Sequence, residues 1–164
     1  GILETQLSTW CNNKSWVHTT LVGQLALYLT MYSPLQMAAD LPENYKKYND
    51  AFQFIKDVAC DWDDSRYLEA EPARYVTVAR KAKDTNNWFI GGKTGLQPHQ
   101  SIVKLDFLDK GRKYEATIYA DAKDADFEKN PKAYTITKRT VKKGDVLKLN
   151  EVRGGGFAIS VKAL

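Results

Sequence analysis

The stretch from Thr19 to Tyr45, TTLVGQLALYLTMYSPLQMAADLPENY, decides the reading of the fold. On a helical wheel at about 100° per residue, Leu21, Val22, Leu25, Ala26, Tyr28, Leu29 and Tyr32 fill one broad arc. Leu27 and Met31 widen it, and only Thr19, Gly23 and Thr30 share a narrow polar edge. A helix over Thr19 to Tyr32 would thus be apolar around most of its circumference, which places it inside a large protein or a membrane. Ser33-Pro34 stops it short of the roughly 20 residues that a bilayer needs, because the residue before proline is pushed out of helical geometry. The expectation is a central helix of a soluble protein, and the chain offers little to cover it.

On the amino-terminal side, Gly1-Ile2-Leu3 reads as the end of a strand, and Glu4 to Ser15, polar and centred on Asn12-Asn13, as a loop. On the carboxyl-terminal side, Pro34 to Asp40 is a short, largely apolar run between prolines, which fits a buried strand of a parallel sheet. Pro42-Glu43 opens a second helix, with proline in the first turn and an acid near the positive end of the helix dipole. Tyr45, Tyr48, Phe52, Ile55 and Val58 recur at three- and four-residue steps along it, so this helix is expected to be amphipathic and to run to about Ala59. Asp61, Asp63 and Asp64 then read as its end and the start of a linker, with a domain boundary at residues 61 to 66.

The pattern changes class beyond that point. Tyr75 to Arg80, Trp88 to Ile90, Ile102 to Leu108, Tyr114 to Ala120, Tyr134 to Arg139, Val146 to Leu149 and Phe157 to Val161 are short β-rich runs. Val103, Leu105 and Phe107 share one face of their run, as do Phe157, Ile159 and Val161 of the last. Asp84-Thr85-Asn86-Asn87, Gly91-Gly92, Asp109-Lys110-Gly111, Lys143-Gly144-Asp145 and Gly154-Gly155-Gly156 read as turns between them. Such spacing predicts an antiparallel sandwich or barrel.

Composition narrows the function classes. A chain of 164 residues, 43% hydrophobic and 27% charged, can bury a core and shows no segment biased enough for disorder. The net charge of +4 comes from 24 basic and 20 acidic residues interspersed along the chain, which argues against nucleic acid as a partner. Cys11 and Cys60 fit no metal signature, and both a single disulfide and two thiols stay open. The start Gly1-Ile2-Leu3-Glu4 shows no basic n-region or cleavage site and is uninformative about export.

Two long strings, LALYLTMYSPLQMAADLPENY and DAFQFIKDVACDWDDSRYLEAEPARYVTVARKAKDTNNWFIGG, resemble the carboxyl-terminal part of glycoside hydrolase family 97, the α-glucosidases and α-galactosidases. KYEATIYADAKDADFEKNPKAYTITKRTV and GGGFAISVK continue the resemblance, which runs from about Gly1 to Lys162. It implies a parent with an amino-terminal β-sandwich, a central (β/α)8 catalytic barrel and a carboxyl-terminal antiparallel β domain. On that implication residues 1–62 are the end of the barrel and residues 66–164 the β-sandwich domain, an α+β fragment. Gly1 to Leu3 would end the seventh barrel strand, Thr19 to Tyr32 would be the seventh helix, Pro34 to Asp40 the eighth strand and Pro42 to Ala59 the eighth helix. The family's catalytic acid, its base or nucleophile and its calcium-holding glutamates would then lie upstream, with no cofactor in this chain. The resemblance also implies a periplasmic or cell-envelope location.

Among the residues present, Glu4 and Asp40 would sit at the catalytic rim of the intact barrel. Asp40 could equally cap the helix that begins at Pro42. Trp88 and Trp62, with Tyr119 and Tyr134, could present ring faces to a sugar or fill the core. Asp121, Asp124, Asp126 and Glu128 lack the register of an EF-hand and read as a solvated loop paired with local lysines. His18 and His99 stand isolated, with no nucleophile or metal partner in view. Gly154-Gly155-Gly156 precedes a strand, so it reads as a hairpin and not a phosphate loop.

Two functions follow as expectations. In the first, the chain is the end of a family 97-like glycosidase, inactive by itself and contributing a structural, oligomerising β domain. In the second, it is a carbohydrate-binding β-sandwich module. The exposed apolar helix should pack back on the β domain or pair with another chain, which predicts assembly through residues 19 to 58. No membrane span is expected.

Overall fold

From Trp62 onward the chain forms eight strands, and every strand pairing is antiparallel. The computed structural model describes residues 17–38 and 40–164. Its elements are α1 (Leu21–Thr30), α2 (Pro42–Lys47), α3 (Asn49–Asp57), β1 (Trp62–Glu71), β2 (Tyr75–Ala82), β3 (Trp88–Thr94), β4 (His99–Lys104), β5 (Lys113–Asp121), β6 (Tyr134–Lys142), β7 (Val146–Glu151) and β8 (Gly156–Ala163). β1-β2-β3-β8-β5-β6 form a six-stranded sheet, and β4 and β7 form a separate two-stranded ribbon.

The large sheet is covered on both faces by different means. One face carries Trp88, Ile90, Tyr114, Ala116, Phe157, Ile159 and Val161 against Val103, Leu147 and Leu149 of the ribbon, a β-sandwich core. Leu105, Phe107 and Leu108 plug that core from the turn after β4. The opposite face carries Phe89, Tyr119 and Ala158 against Leu21, Leu25 and Leu29 of α1 and Ala51 and Phe54 of α3. Phe54 meets the edges of Phe89 and Tyr119 at centroid distances of 6.3 and 5.4 Å.

This explains the apolar circumference of α1. Its backbone lies directly on β3 and β8, and glycines make that approach possible. A Cβ at Gly91 would stand 2.9 Å from the Leu29 Cβ and 3.1 Å from the Ala26 carbonyl, and a Cβ at Gly156 would collide with the Gly92 carbonyl. Residues read as turn glycines are therefore partly strand residues: Gly91 and Gly92 lie inside β3, where the missing side chain of Gly91 gives α1 its seat and that of Gly92, on the other face, makes room for the Phe157 ring. Of the two outcomes expected for α1, it packs back on the β domain.

Three other sequence expectations need correction. The acid-rich run after Asp61 is β1, paired along its length with β2, and not a helix end with a linker. The amphipathic helix expected from Pro42 to Ala59 is two helices broken at Tyr48, whose φ of −127° and ψ of 45° leave helical geometry. Among the described residues, Pro34 to Asp40 forms bends and no strand, since it has no neighbouring strand to supply hydrogen bonds. The strand end and loop expected over residues 1–16 lie outside the described residues. No described helix is long and apolar enough to cross a membrane.

Candidate functional site

α1 is held at both ends by charged groups that the β domain supplies. At its start, Thr20 is the N-cap: its hydroxyl oxygen accepts from the Gly23 N–H at 3.0 Å and its O–H donates to Asp121 Oδ1 at 2.7 Å. The helix's leading amides find carbonyls outside it, Thr20 N–H on Gly154 at 3.2 Å and Leu21 N–H on Pro131 at 2.7 Å. Lys93 Nζ donates to Thr19 Oγ1 at 2.7 Å and to the Gly154 carbonyl at 2.9 Å. At its end, buried Arg80 donates Nε–H to the Leu29 carbonyl at 2.8 Å and Nη1–H to Ser65 Oγ at 2.7 Å. Asp121 at the start and Arg80 at the end complement the helix dipole, while Lys93 at the start offsets part of the Asp121 charge.

Burial dominates the electrostatics of this anchor. It pushes the Asp121 carboxyl up to about 6, although the Thr20 hydroxyl, the Gly156 and Val152 amides and Lys93 all pull it down. The same burial holds Lys93 below the usual lysine range. Asp121 is thus a structural group of the helix seat and not a member of a solvated loop. The rest of that loop fits expectation better, with arginine in place of lysine: Asp126 and Glu128 pair with Arg153 at 3.4 and 3.0 Å.

The outer side of the helical layer ends in exposed apolar residues. Met31, Tyr32, Leu35, Met37 and Leu41 are at least 59% exposed, and they follow one another over the segment that leaves α1. Met31, Tyr32 and Met37 join Leu27 around a hollow of about 270 Å³. Tyr28 forms its floor, donating its O–H to the Met37 carbonyl at 3.1 Å, and burial raises its pKa to about 12. Large apolar side chains left in water one after another are uncommon on a protein surface.

A second group of polar residues lies between the two sheets. Glu69 and Thr77 face each other across β1 and β2, and His99 and Glu151 across β4 and β7. Thr77 donates to Glu69 Oε1 at 3.0 Å, Ser101 donates to Glu151 Oε1 at 2.6 Å, and His99 Nε2 stands 3.3 Å from Glu69 Oε1. One ligand atom from each of Glu69, His99 and Glu151 lies within 4.8 Å of the others, the group among the described residues able to hold a metal ion. Burial pushes the Glu151 carboxyl up to about 8. The isolation expected of His99 is therefore wrong, because the register of β4 on β7 and the packing of the ribbon on β1 supply partners that local sequence does not show.

The residues singled out from sequence disperse. Glu4 lies outside the described residues. Asp40 turns its Oδ1 toward the start of α2, accepting from the Leu41 N–H at 2.8 Å and Asn44 Nδ2 at 2.7 Å, but the N-cap is Leu41, so Asp40 braces this helix from outside and does not take the capping position. Trp88 is 3% exposed, with its ring 4.5 Å from Phe107 in the sandwich core, so it has no face free for a sugar. Trp62, Tyr119 and Tyr134 pack in the helical layer on the opposite face of the sheet, so the four rings make no common platform. Tyr134 donates its O–H to Asp50 of α3 at 2.7 Å. His18 lies 5.9 Å from the Phe127 ring. Cys60 is exposed, and Cys11 lies outside the described residues.

Comparison with known proteins gives this geometry a context. Residues 61–162 match the family described as glycosyl-hydrolase 97 C-terminal, oligomerisation. A retaining α-galactosidase of Bacteroides thetaiotaomicron is 31% identical over 152 residues, which are 93% of this chain and 22% of that protein. A glycoside hydrolase family 97 enzyme from Pseudoalteromonas sp. strain K8, solved in complex with acarbose, is 45% identical with a TM-score of 0.90 over 93% of this chain and 24% of its own. A β-arabinopyranosidase at 24% identity and TM-score 0.75 shares the fold. The chain thus spans about a quarter of the length of the relatives it matches.

Proposed function

Because the chain belongs to glycoside hydrolase family 97, we propose that it is the carboxyl-terminal portion of a glycosidase acting on α-glucosides or α-galactosides, and that it supplies assembly and not chemistry. The observation that carries this reading is the match of residues 61–162 to the family's C-terminal oligomerisation region, in a chain that spans 22 to 24% of its relatives. In this reading residues 1–62 are the end of the (β/α)8 barrel and residues 66–164 the C-terminal domain. The catalytic acid, its carboxylate partner and the calcium-holding glutamates belong to the upstream part of a longer parent, exported to the periplasm or cell envelope.

Two surfaces then take two partners. The apolar segment Met31 to Leu41 lies outside the matched region and receives the upstream barrel, where its side chains lose their water. Self-assembly belongs to residues 61–162 rather than to residues 19 to 58, since α1 within that stretch is already buried on the sheet. Purified chain assayed on p-nitrophenyl α-glucoside and α-galactoside is expected to give no turnover above the buffer blank. Turnover that survives purification would show that the chain holds its own catalytic groups and would overturn the proposal.

A further inference from the structure

The contact between the ribbon and the edge of the large sheet contains more ionisable chemistry than packing needs. Glu151 is 2% exposed, and its Oε2 finds no hydrogen-bond partner among the described residues. An orphaned carboxylate oxygen in the interior is costly unless a proton or a cation meets it. Glu69 and His99 stand beside it with side chains 25% and 21% exposed, so the cluster opens to solvent on one side. Lys93 acts on Glu151 at a distance, and Asp121 and Glu69 add negative charge from two directions.

We propose that Glu69, His99 and Glu151 form a binding site for a zinc-like divalent transition ion that ties β1 to the β4 and β7 ribbon. Two carboxylates would balance the double positive charge, and the imidazole nitrogen favours zinc, cobalt or nickel over calcium and magnesium. Three protein ligands leave a fourth position of a tetrahedron facing the open side, for water. The ligand atoms, within 4.8 Å of one another, close by up to about 1.4 Å to reach the spacing set by tetrahedral metal–ligand bonds of about 2.1 Å. The surrounding groups hold the ligands in place: Thr77 donates to Glu69, Ser101 donates to Glu151, and the Tyr75 ring stacks on the imidazole at 3.7 Å and 7°. Such supports are what orient the ligands of metal centres. Protons would leave on binding, since all three ligands must present lone pairs.

The test uses the whole chain, stripped with a chelator and titrated with Zn²⁺ in a calorimeter, then with Co²⁺ in a spectrophotometer. One equivalent of Zn²⁺ is expected, with a raised melting temperature and binding at least about tenfold weaker in both His99→Gln and Glu69→Gln. These two side chains are partly exposed, so the variants should fold, and circular dichroism checks that. Co²⁺ is expected to give weak visible bands without the near-ultraviolet thiolate band. Three outcomes overturn the site: no stoichiometric uptake, which leaves Glu151 neutral through a bound proton; equal binding by the variants; or a thiolate band, which puts the ion on a cysteine.

Discussion

The two faces of the six-stranded sheet differ in how completely they are closed. The face under the β4 and β7 ribbon is built wholly from strands and their turns, with Tyr114, Phe157, Leu105 and Leu108 fully buried. The opposite face is closed by α1 and α3 and then runs outward into Met31, Tyr32, Leu35, Met37 and Leu41, which stay in water. A sandwich core that closes on itself needs no further partner. The helical layer instead leaves these large apolar side chains bare, the surface that the proposed upstream barrel would cover.

Leu25→Ala breaks the comparison most strongly. Leu25 is fully buried between α1 and the sheet, and the cavity should cost about 2 to 5 kcal/mol in urea unfolding. Hydrogen exchange should accelerate in α1 and α3 before it does so in β4 and β7. Uniform acceleration would mean that the two faces form one cooperative unit. Gly91→Ala should act in the same direction with a smaller loss, about 1 to 3 kcal/mol, because its Cβ would press on Leu29 and the Ala26 carbonyl. The same substitution at Gly111, where no atom lies within 4 Å but φ is 82°, tests backbone strain without crowding.

Asp121 sharpens the comparison through pH. Its carboxyl titrates near 6 in the fold and near 3.8 when unfolded, so the folded chain holds the proton more tightly. The resulting stabilisation is complete below pH 3.8 and is lost as pH rises to about 6. The groups facing it are Thr20, the Val152 and Gly156 amides, Lys93 and Glu151. Urea melts should therefore show the wild-type chain losing ground to Asp121→Asn over that interval and running parallel to it above. A flat difference would show that the hydrogen bonds and Lys93 balance burial, and a difference of opposite slope that they outweigh it.

The smallest stability effect should come from the exposed strip. Replacing Met31, Leu35 and Met37 by serine should change unfolding by no more than about 0.5 kcal/mol for each site, as expected of surface positions. Binding of a hydrophobic dye should fall in the same variant. A large stability loss would mean that the strip is already packed.

How much of this was legible in the sequence follows from which contacts are local. Seven of the eight strands announce themselves through short β-rich runs between turn signals, because alternation and glycine punctuation are properties of a few neighbouring residues. β1 does not, since WDDSRYLEAE lies at a sheet edge with polar residues on both faces and shows no clean period of two. The apolar circumference of α1 is visible in the sequence, but its cover is not. The cover is a seat of glycines in β3 and β8, and glycine in sequence reads as a turn. His99 looked solitary because Glu69 lies 30 positions away and Glu151 reaches it only through strand register. The apolar run Pro34 to Asp40 carries the composition of a buried strand, and composition alone does not supply the neighbouring strand that would make it one.

The central claim is that this chain is the assembling end of a family 97 enzyme, with self-association built into its β domain. Sedimentation equilibrium of the Met31→Ser, Leu35→Ser, Met37→Ser chain over a range of concentrations tests it most directly, because the strip can no longer hold copies together. A dimer or larger species that persists in this variant is the predicted result. A monomer at every concentration would contradict the account.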